Sequence, residues 1–152
     1  MPGAKLNPAP TMRRIETYEN PSRTLSRETV LALTVGEVMI PRPKTLSPDA
    51  RVSEVRALLE RRGVRTVLLA EGGAFRGAID RGGLLADAAD DEPASRYAEL
   101  EPVSVTPETP MTKAIELLAS SSEPRLIVLD RDGVTLRGLV CSKPGGATFC
   151  VA

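Results

Sequence analysis

From Thr45 to Leu59 the chain reads T-L-S-P-D-A-R-V-S-E-V-R-A-L-L, and from Ser104 to Leu118 it reads S-V-T-P-E-T-P-M-T-K-A-I-E-L-L. An offset of fifty-nine residues superimposes Leu46 on Val105, Pro48 on Pro107, Asp49 on Glu108 and Val52 on Met111. The same offset carries Leu58 and Leu59 onto Leu117 and Leu118, and the apolar run 67–70 onto 126–129. Two extra residues in the second turn raise it to sixty-one, which places Gly77 on Gly138 and Ile79 on Val140. Repetition at a fixed period marks copies of one supersecondary unit. Two copies predict a pseudo-symmetric pair burying apolar faces against each other, with any binding site where the copies meet.

Each copy reads β-α-β-β, with a further helix in the first. Lys44–Leu46 is extended, because proline disfavours helix in the residue before it and Ser47-Pro48-Asp49 ends the piece. Val52, Val55, Leu58 and Leu59 recur at helical spacing, with Ser53, Glu54, Arg56, Glu60 and Arg61 opposite. Gly63 stops that helix. Val64–Ala70 is a buried strand, since a continuous apolar run suits a strand covered on both faces. Glu71–Ala74 is a hairpin turn, Phe75–Ile79 the return strand, and Leu84–Ala89 a short helix. Asp87–Pro93, with four acids, is a solvated connector. In the second copy Val103–Val105 is extended, and Thr109-Pro110 reads as an N-cap with proline at the first helical position. Met111, Ala114, Ile115, Leu117 and Leu118 form the buried stripe. Arg125–Leu129 is a strand, Asp130–Gly133 a turn and Val134–Cys141 the return. The second copy then departs from the first, because Lys143-Pro144-Gly145-Gly146 is a turn and Ala147–Val151 a strand.

The expected organisation is therefore a leader over residues 1–34, a first repeat over 35–92 and a second over 93–152. The leader is mostly flexible, with a short helix over 27–33 capped by Ser26. The fold class is mixed α/β (α+β): tandem β-α-β-β-α repeats packed with pseudo-twofold symmetry, the second with an altered C-terminal element.

Composition excludes several function classes. The chain has 152 residues, no histidine, two cysteines, no tryptophan and a formal net charge of zero. Without histidine there is no His general base, no Ser-His or Cys-His pair and no His-containing zinc site. Cys141 and Cys150 lack C-x-x-C spacing and make no disulfide framework; they read as reduced thiols. Balanced charge and few aromatics argue against nucleic-acid binding. No segment approaches the roughly 18 apolar residues of a membrane span, and no secretory h-region opens the sequence, so a soluble cytoplasmic chain is expected. Nothing favours an enzyme.

The tandem order, the lead-in V-G-E-V-M-I-P-R-P (35–43) and the closing G-A-I-D-R-G-G-L-L (77–85) together resemble a CBS domain pair, or Bateman module. The resemblance spans about Val35 to Lys143. It implies a regulatory module that binds AMP, ADP, ATP or S-adenosylmethionine in clefts between the copies, requires no cofactor, forms a homodimer and controls a regulated protein whose identity is unknown.

Nucleotide-binding members end the third strand as Gly, two apolar residues, Thr or Ser, two residues, then Asp. The first copy matches at Gly77, Ala78 and Ile79, but has Asp80 at the hydroxyl position and Gly83 at the ribose position. The second matches at Gly138, Leu139 and Val140, with Cys141 and Pro144 at those two positions. Neither keeps the ribose carboxylate. Its charge-assisted hydrogen bonds are each worth about 1.5–3 kcal/mol, so their loss weakens binding on the order of a hundredfold.

The candidate ligand-binding residues are Met39, Ile40, Thr45, Arg65, Thr66, Ile79, Asp80, Arg81, Val103, Val105, Arg125, Val140, Cys141, Ser142 and Lys143. Most carry two readings. Asp80 is a displaced ribose ligand or a helix N-cap, with Arg81 or Arg65 to neutralise it. Arg65 and Arg125, read as equivalent, bind phosphate or stand solvated. Ser142 and Lys143 meet phosphate or open a turn. Thr45, Val103, Val105, Met39 and Ile40 line an adenine pocket or serve the core. The function expected is a regulatory adenosyl-ligand module; the alternative is a structural dimerisation or partner-binding module with decayed clefts.

Overall fold

The computed structural model describes residues 24–81, 87–121, 125–142 and 148–150. In chain order the elements are β1 (Thr24–Ser26), α1 (Arg27–Val30), α2 (Val35–Val38), β2 (Ile40–Pro41), β3 (Thr45–Leu46), α3 (Val52–Leu59), β4 (Thr66–Glu71) and β5 (Ala74–Asp80). A 3-10 turn (Ala94–Tyr97) follows, then β6 (Ser104–Val105), α4 (Met111–Ala119), β7 (Arg125–Leu129), β8 (Leu136–Cys141) and β9 (Thr148–Cys150). Each copy is β-α-β-β as the repeat predicts. β3 runs parallel to β4 and β4 antiparallel to β5; β6, β7 and β8 repeat that arrangement.

The apolar pattern explains the layers. Val52, Val55 and Leu59 turn the buried stripe of α3 onto β4 and β5, with Val67, Leu69 and Ile79 beneath it. Met111, Ala114 and Ile115 do the same for α4 over Leu126, Val128 and Val140. The other face of each central strand meets the opposite copy: Leu68 and Ala78 pack against Ile127 and Leu129, flanked by Phe75, Leu136 and Leu139. β7 is buried along its whole length for this reason. Burying a leucine-sized side chain contributes about 1.5–3 kcal/mol, so this shared layer is a main source of adhesion between the copies.

Backbone hydrogen bonds draw the pseudo-dyad. The Phe75 N–H donates to the Val134 carbonyl and the Leu136 N–H to the Gly73 carbonyl, each at 2.8 Å, around a bridge of Ala74 with Thr135. The lead-ins follow the same symmetry, and each is exchanged. The Val52 N–H, opening α3, donates to the Glu92 carbonyl of the second lead-in, while the Met111 N–H, opening α4, donates to the Leu33 carbonyl of the first. The Val35 N–H reaches the Thr109 carbonyl, and Ala94 reaches Ala50. The orphan donors of a helix start need partners; here main chain from the other lead-in supplies them, so neither helix has a side-chain cap bond.

Each lead-in then runs along the return strand of the other copy. Ile40 pairs with Leu139 and Pro41 with Gly138, while Glu99 bridges Ala78. The glycines at these contacts allow the approach. A Cβ on Gly77 would lie 2.8 Å from the Ala98 Cβ, and one on Gly138 2.7 Å from the Ile40 carbonyl oxygen.

Several expectations shift. Pro110, with ψ 144°, sits at the N-cap position of α4 rather than the first helical one. The Thr109 hydroxyl instead accepts the Thr106 N–H. The connector has exposed acidic side chains, yet its main chain is docked: the Arg51 and Arg56 guanidiniums hold the Asp91 and Ala88 carbonyls. Asp87–Ala89 are consequently not helical, and 82–86, where the expected helix 84–89 begins, lie outside the described residues. The helix expected over 27–33 ends at Val30, with Ser26 accepting the Thr29 N–H. Just before it, β1 pairs with β9, an addition the repeat does not contain; β9 is the strand expected over 147–151. The flexible leader expected before Thr24 falls outside the described residues.

Candidate functional site

The four residues at the open ends of the central hairpins form the seam between the copies. Thr66 pairs with Asp80, and Arg125 with Cys141. Register makes Thr66, not Arg65, the counterpart of Arg125, and Cys141 the counterpart of Asp80.

Arg125 is 5% exposed, and its guanidinium crosses the seam to Asp80. Nε donates to Oδ1 at 2.9 Å and a terminal nitrogen to Oδ2 at 2.5 Å. Thr66 Oγ1 donates to the same carboxylate at 2.6 Å, and Arg125 also reaches Glu99 Oε1 at 3.0 Å. Burial works against the Arg125 charge, but Asp80 and then Glu99 outweigh it and push the pKa up. Such a fork-to-fork pair is specific in geometry, and removing one member leaves a buried charge without compensation. The cluster sets one guanidinium against two carboxylates.

Asp80 therefore finds its neutralising cation in Arg125, rather than in Arg81 or Arg65. Arg81 turns to the end of α3, where its guanidinium donates to the carbonyls of Leu59, Arg61 and Val64. A cation there complements the helix C-terminus. Arg65 is exposed, and its carbonyl accepts the Arg81 N–H at 2.7 Å. Whether Asp80 also caps a following helix concerns residues outside those described.

Ile79, Val105 and Val140 lie in the clusters beneath α3 and α4. Met39 is half-buried against the same core, and a Cβ on Gly138 would come within 2.7 Å of its sulfur. Ile40 is half-buried in β2, whereas Thr45 and Val103 are exposed on the lead-ins. Cys141 is half-buried, Ser142 is 6% exposed, and Lys143 lies outside the described residues.

Glu99 is the participant that motif reading passed over. The fifty-nine-residue offset carries the candidate Ile40 onto Glu99, and that equivalence is the signal in the sequence that marks Glu99. Arg42, between two prolines in the first lead-in, has φ 52°, a strained conformation for a non-glycine residue. Among the described residues no group of three or more acidic, cysteine or histidine side chains could hold a metal ion, and no helix is long and apolar enough to cross a membrane.

No curated protein sequence matches this chain. Solved structures do. The CBS-pair protein CBSX2 from Arabidopsis thaliana superimposes with a TM-score of 0.62 at 23% identity, covering 71% of this chain and 87% of that one. CBSX2 is also solved in complex with AMP. The CBS domain protein PAE2072 from Pyrobaculum aerophilum, complexed with AMP, gives 0.62 at 20% identity over 72% and 87% of the two chains. The cytosolic domain of the Mg2+ channel MgtE in complex with ATP gives 0.62 at 20% identity, over 71% of this chain and 45% of that one. At such identities the likeness fixes the fold alone. The sequence model of the CBS domain matches residues 35–89 and 95–143, more than half of the chain. With two copies clasped about a dyad and both repeats matched, this chain belongs to the CBS domain family as a tandem pair.

Proposed function

We propose that the protein is a regulatory module that senses an adenosyl ligand, AMP, ADP, ATP or S-adenosylmethionine, at the seam between its CBS repeats. The observation that carries this reading is the clasped pair itself, whose fold is shared with CBS-pair proteins solved with AMP or ATP. The two ends of the seam differ in their welcome. Near Asp80 a phosphate meets one guanidinium and two carboxylates, so repulsion opposes it. On the Cys141 side of the same cluster, where Arg125 is the register partner, the counterpart position carries no carboxylate, and that side is the one we assign to the ligand. Binding, not catalysis, is the role proposed, in a cytoplasmic homodimer acting on a regulated protein.

Isothermal titration with AMP, ATP and S-adenosylmethionine at millimolar concentrations tests this. We expect saturable heat for at least one of them, and a smaller heat or none for the Cys141→Asp variant, which places a carboxylate at the second end. No heat and no thermal shift with any ligand removes the reading.

A second reading has its own support. The Asp80 carboxylate is held by Arg125 and Thr66, as suits a module whose first cleft has become structural and whose work is dimerisation or partner binding. A homodimer in light scattering that neither forms nor dissociates with ligand, together with silent titrations, favours it.

A further inference from the structure

The first lead-in is an arm that packs on the second copy. β1 pairs with β9, and β2 with β8. Val30, Val35 and Val38 are at most 1% exposed, in one cluster with Met111, Leu126 and Val140. Among the described residues, the main-chain hydrogen bonds that leave the arm join Val35 to Thr109, Gly36 to Pro107 and Leu33 to Met111. From the end of β2, residues 42–44 carry the chain across to β3 of the first copy.

That crossing is bent against its own sequence. Arg42 lies between Pro41 and Pro43 with φ 52°, and it alone among the described non-glycine residues has a positive φ. A Cβ disfavours the left-handed region, and a residue before proline prefers an extended conformation with φ about −120°. Freed from the turn, Pro41-Arg42-Pro43 straightens, and three extended residues span about 10 Å. Glu101, which the fifty-nine-residue offset matches to Arg42, has a negative φ. The second lead-in also lies between the copies in chain order, so it cannot leave its dock without parting them.

We propose that two chains exchange these arms, residues 24–41 of each docking on the second copy of the other to make a reciprocal homodimer. An exchanged element is identical to the one it replaces, so the pair keeps the arm contacts of the single chain and needs no new surface. The hinge is what differs. It is left-handed at Arg42 when the arm folds back on its own chain, and extended when the arm crosses to another. Short hinges under strain invite such exchange. Release of the turn favours the dimer and dilution favours the single chain, so protein concentration sets the balance. The exchange specifies how a second copy is held and does not rest on the ligand reading.

Isotope-labelled and unlabelled full chains are mixed in urea, refolded together, concentrated and separated by size. Isotope-filtered NOE spectra of the dimer fraction then report contacts between chains alone. The expected contacts run from the Val30, Val35 and Val38 methyl groups of one chain to Met111 and Val140 of the other, and the monomer fraction lacks them. Light scattering across a dilution series reads the balance. Arg42→Gly, which frees the left-handed turn of strain, should raise the dimer dissociation constant on the order of tenfold or more. Arg42→Pro, whose ring forbids a positive φ, should shift the population to dimer. Chains that stay monomeric at every concentration, or a dimer without those contacts between chains, would overturn the proposal. An Arg42→Gly dimer as tight as the parent would do so too, and that comparison stands even if Arg42→Pro fails to fold. None of these readouts involves an adenosyl ligand, so the two ideas fail separately.

Discussion

The two copies share their main-chain plan and differ in the side chains at the seam. Both place a bulge at the same point of the central hairpin, between Leu69 and Ala70 and between Val128 and Leu129. Both exchange lead-ins through matched hydrogen bonds, and both bury an equivalent aliphatic residue against the other, Leu68 in one and Ile127 in the other. At the open end the match stops: Thr66 and Asp80 in the first copy correspond to Arg125 and Cys141 in the second. Backbone pairing and dry packing admit few substitutions. At the open end the copies differ, and there the Asp80 of one is bonded to the Arg125 of the other.

The largest effect is expected from Arg125→Ala, which strands the Asp80 carboxylate; breaking one side of a buried ion pair costs about 3–5 kcal/mol. Urea unfolding of this variant should show that loss, whereas Arg65→Ala, at the exposed position beside Thr66, should stay within about 0.5 kcal/mol of the parent. Equal losses in the two would remove the asymmetry. Leu68→Ala and Ile127→Ala come next, at about 2–5 kcal/mol each. Because the two positions are related by the dyad, their denaturation midpoints should fall by similar amounts, and a cost confined to one would show that the shared layer is one-sided.

Gly138→Ala is smaller, about 1–3 kcal/mol, because the new methyl group meets the Ile40 backbone carbonyl. Hydrogen exchange should rise over 39–41 while 98–100, docked on the other copy, stays as it was. The smallest effect concerns acid. The Tyr97 hydroxyl and the Ala89 N–H, with Arg96, hold the Glu92 carboxyl below its usual range against a lesser opposing effect of burial. A depressed carboxylate contributes stability above its unfolded value, about 4.3, and that stability is lost as pH falls through the lower folded value. Acidification should therefore loosen the second lead-in, around 88–97, before the first, where Leu33 occupies the equivalent place and carries no charge. Exchange measured at neutral pH and near pH 3 (roughly the acid side of that range) checks the order.

Much of the fold is legible in the repeat because aliphatic periodicity and turn chemistry are local. The stripe Met111, Ala114 and Ile115 predicts α4 without reference to anything distant. The exchange of lead-ins is less legible. Neither Pro93 nor Pro110 signals it locally, yet Pro93 of the second lead-in bridges Arg51 at the start of α3, and Pro110 at the start of α4 bridges Thr34 of the first lead-in. The site is least legible, since Asp80 and Arg125 are both candidates but stand forty-five residues apart, and no local pattern pairs them. Matching Arg125 to Arg65 by residue type hid the pair, where counting the offset to Thr66 exposes it. β1 is invisible to any repeat, because it pairs with a strand that only the second copy has.

A double-mutant cycle on Asp80 and Arg125, read by equilibrium urea unfolding, tests most directly whether the duplicated halves are joined across their dyad by this pair. The coupling expected from Asp80→Ala, Arg125→Ala and the double variant is about 2–3 kcal/mol, with the double variant less unstable than the two single losses together. Losses that add to within about 0.5 kcal/mol would mean that the two side chains do not meet, and would contradict the clasped arrangement.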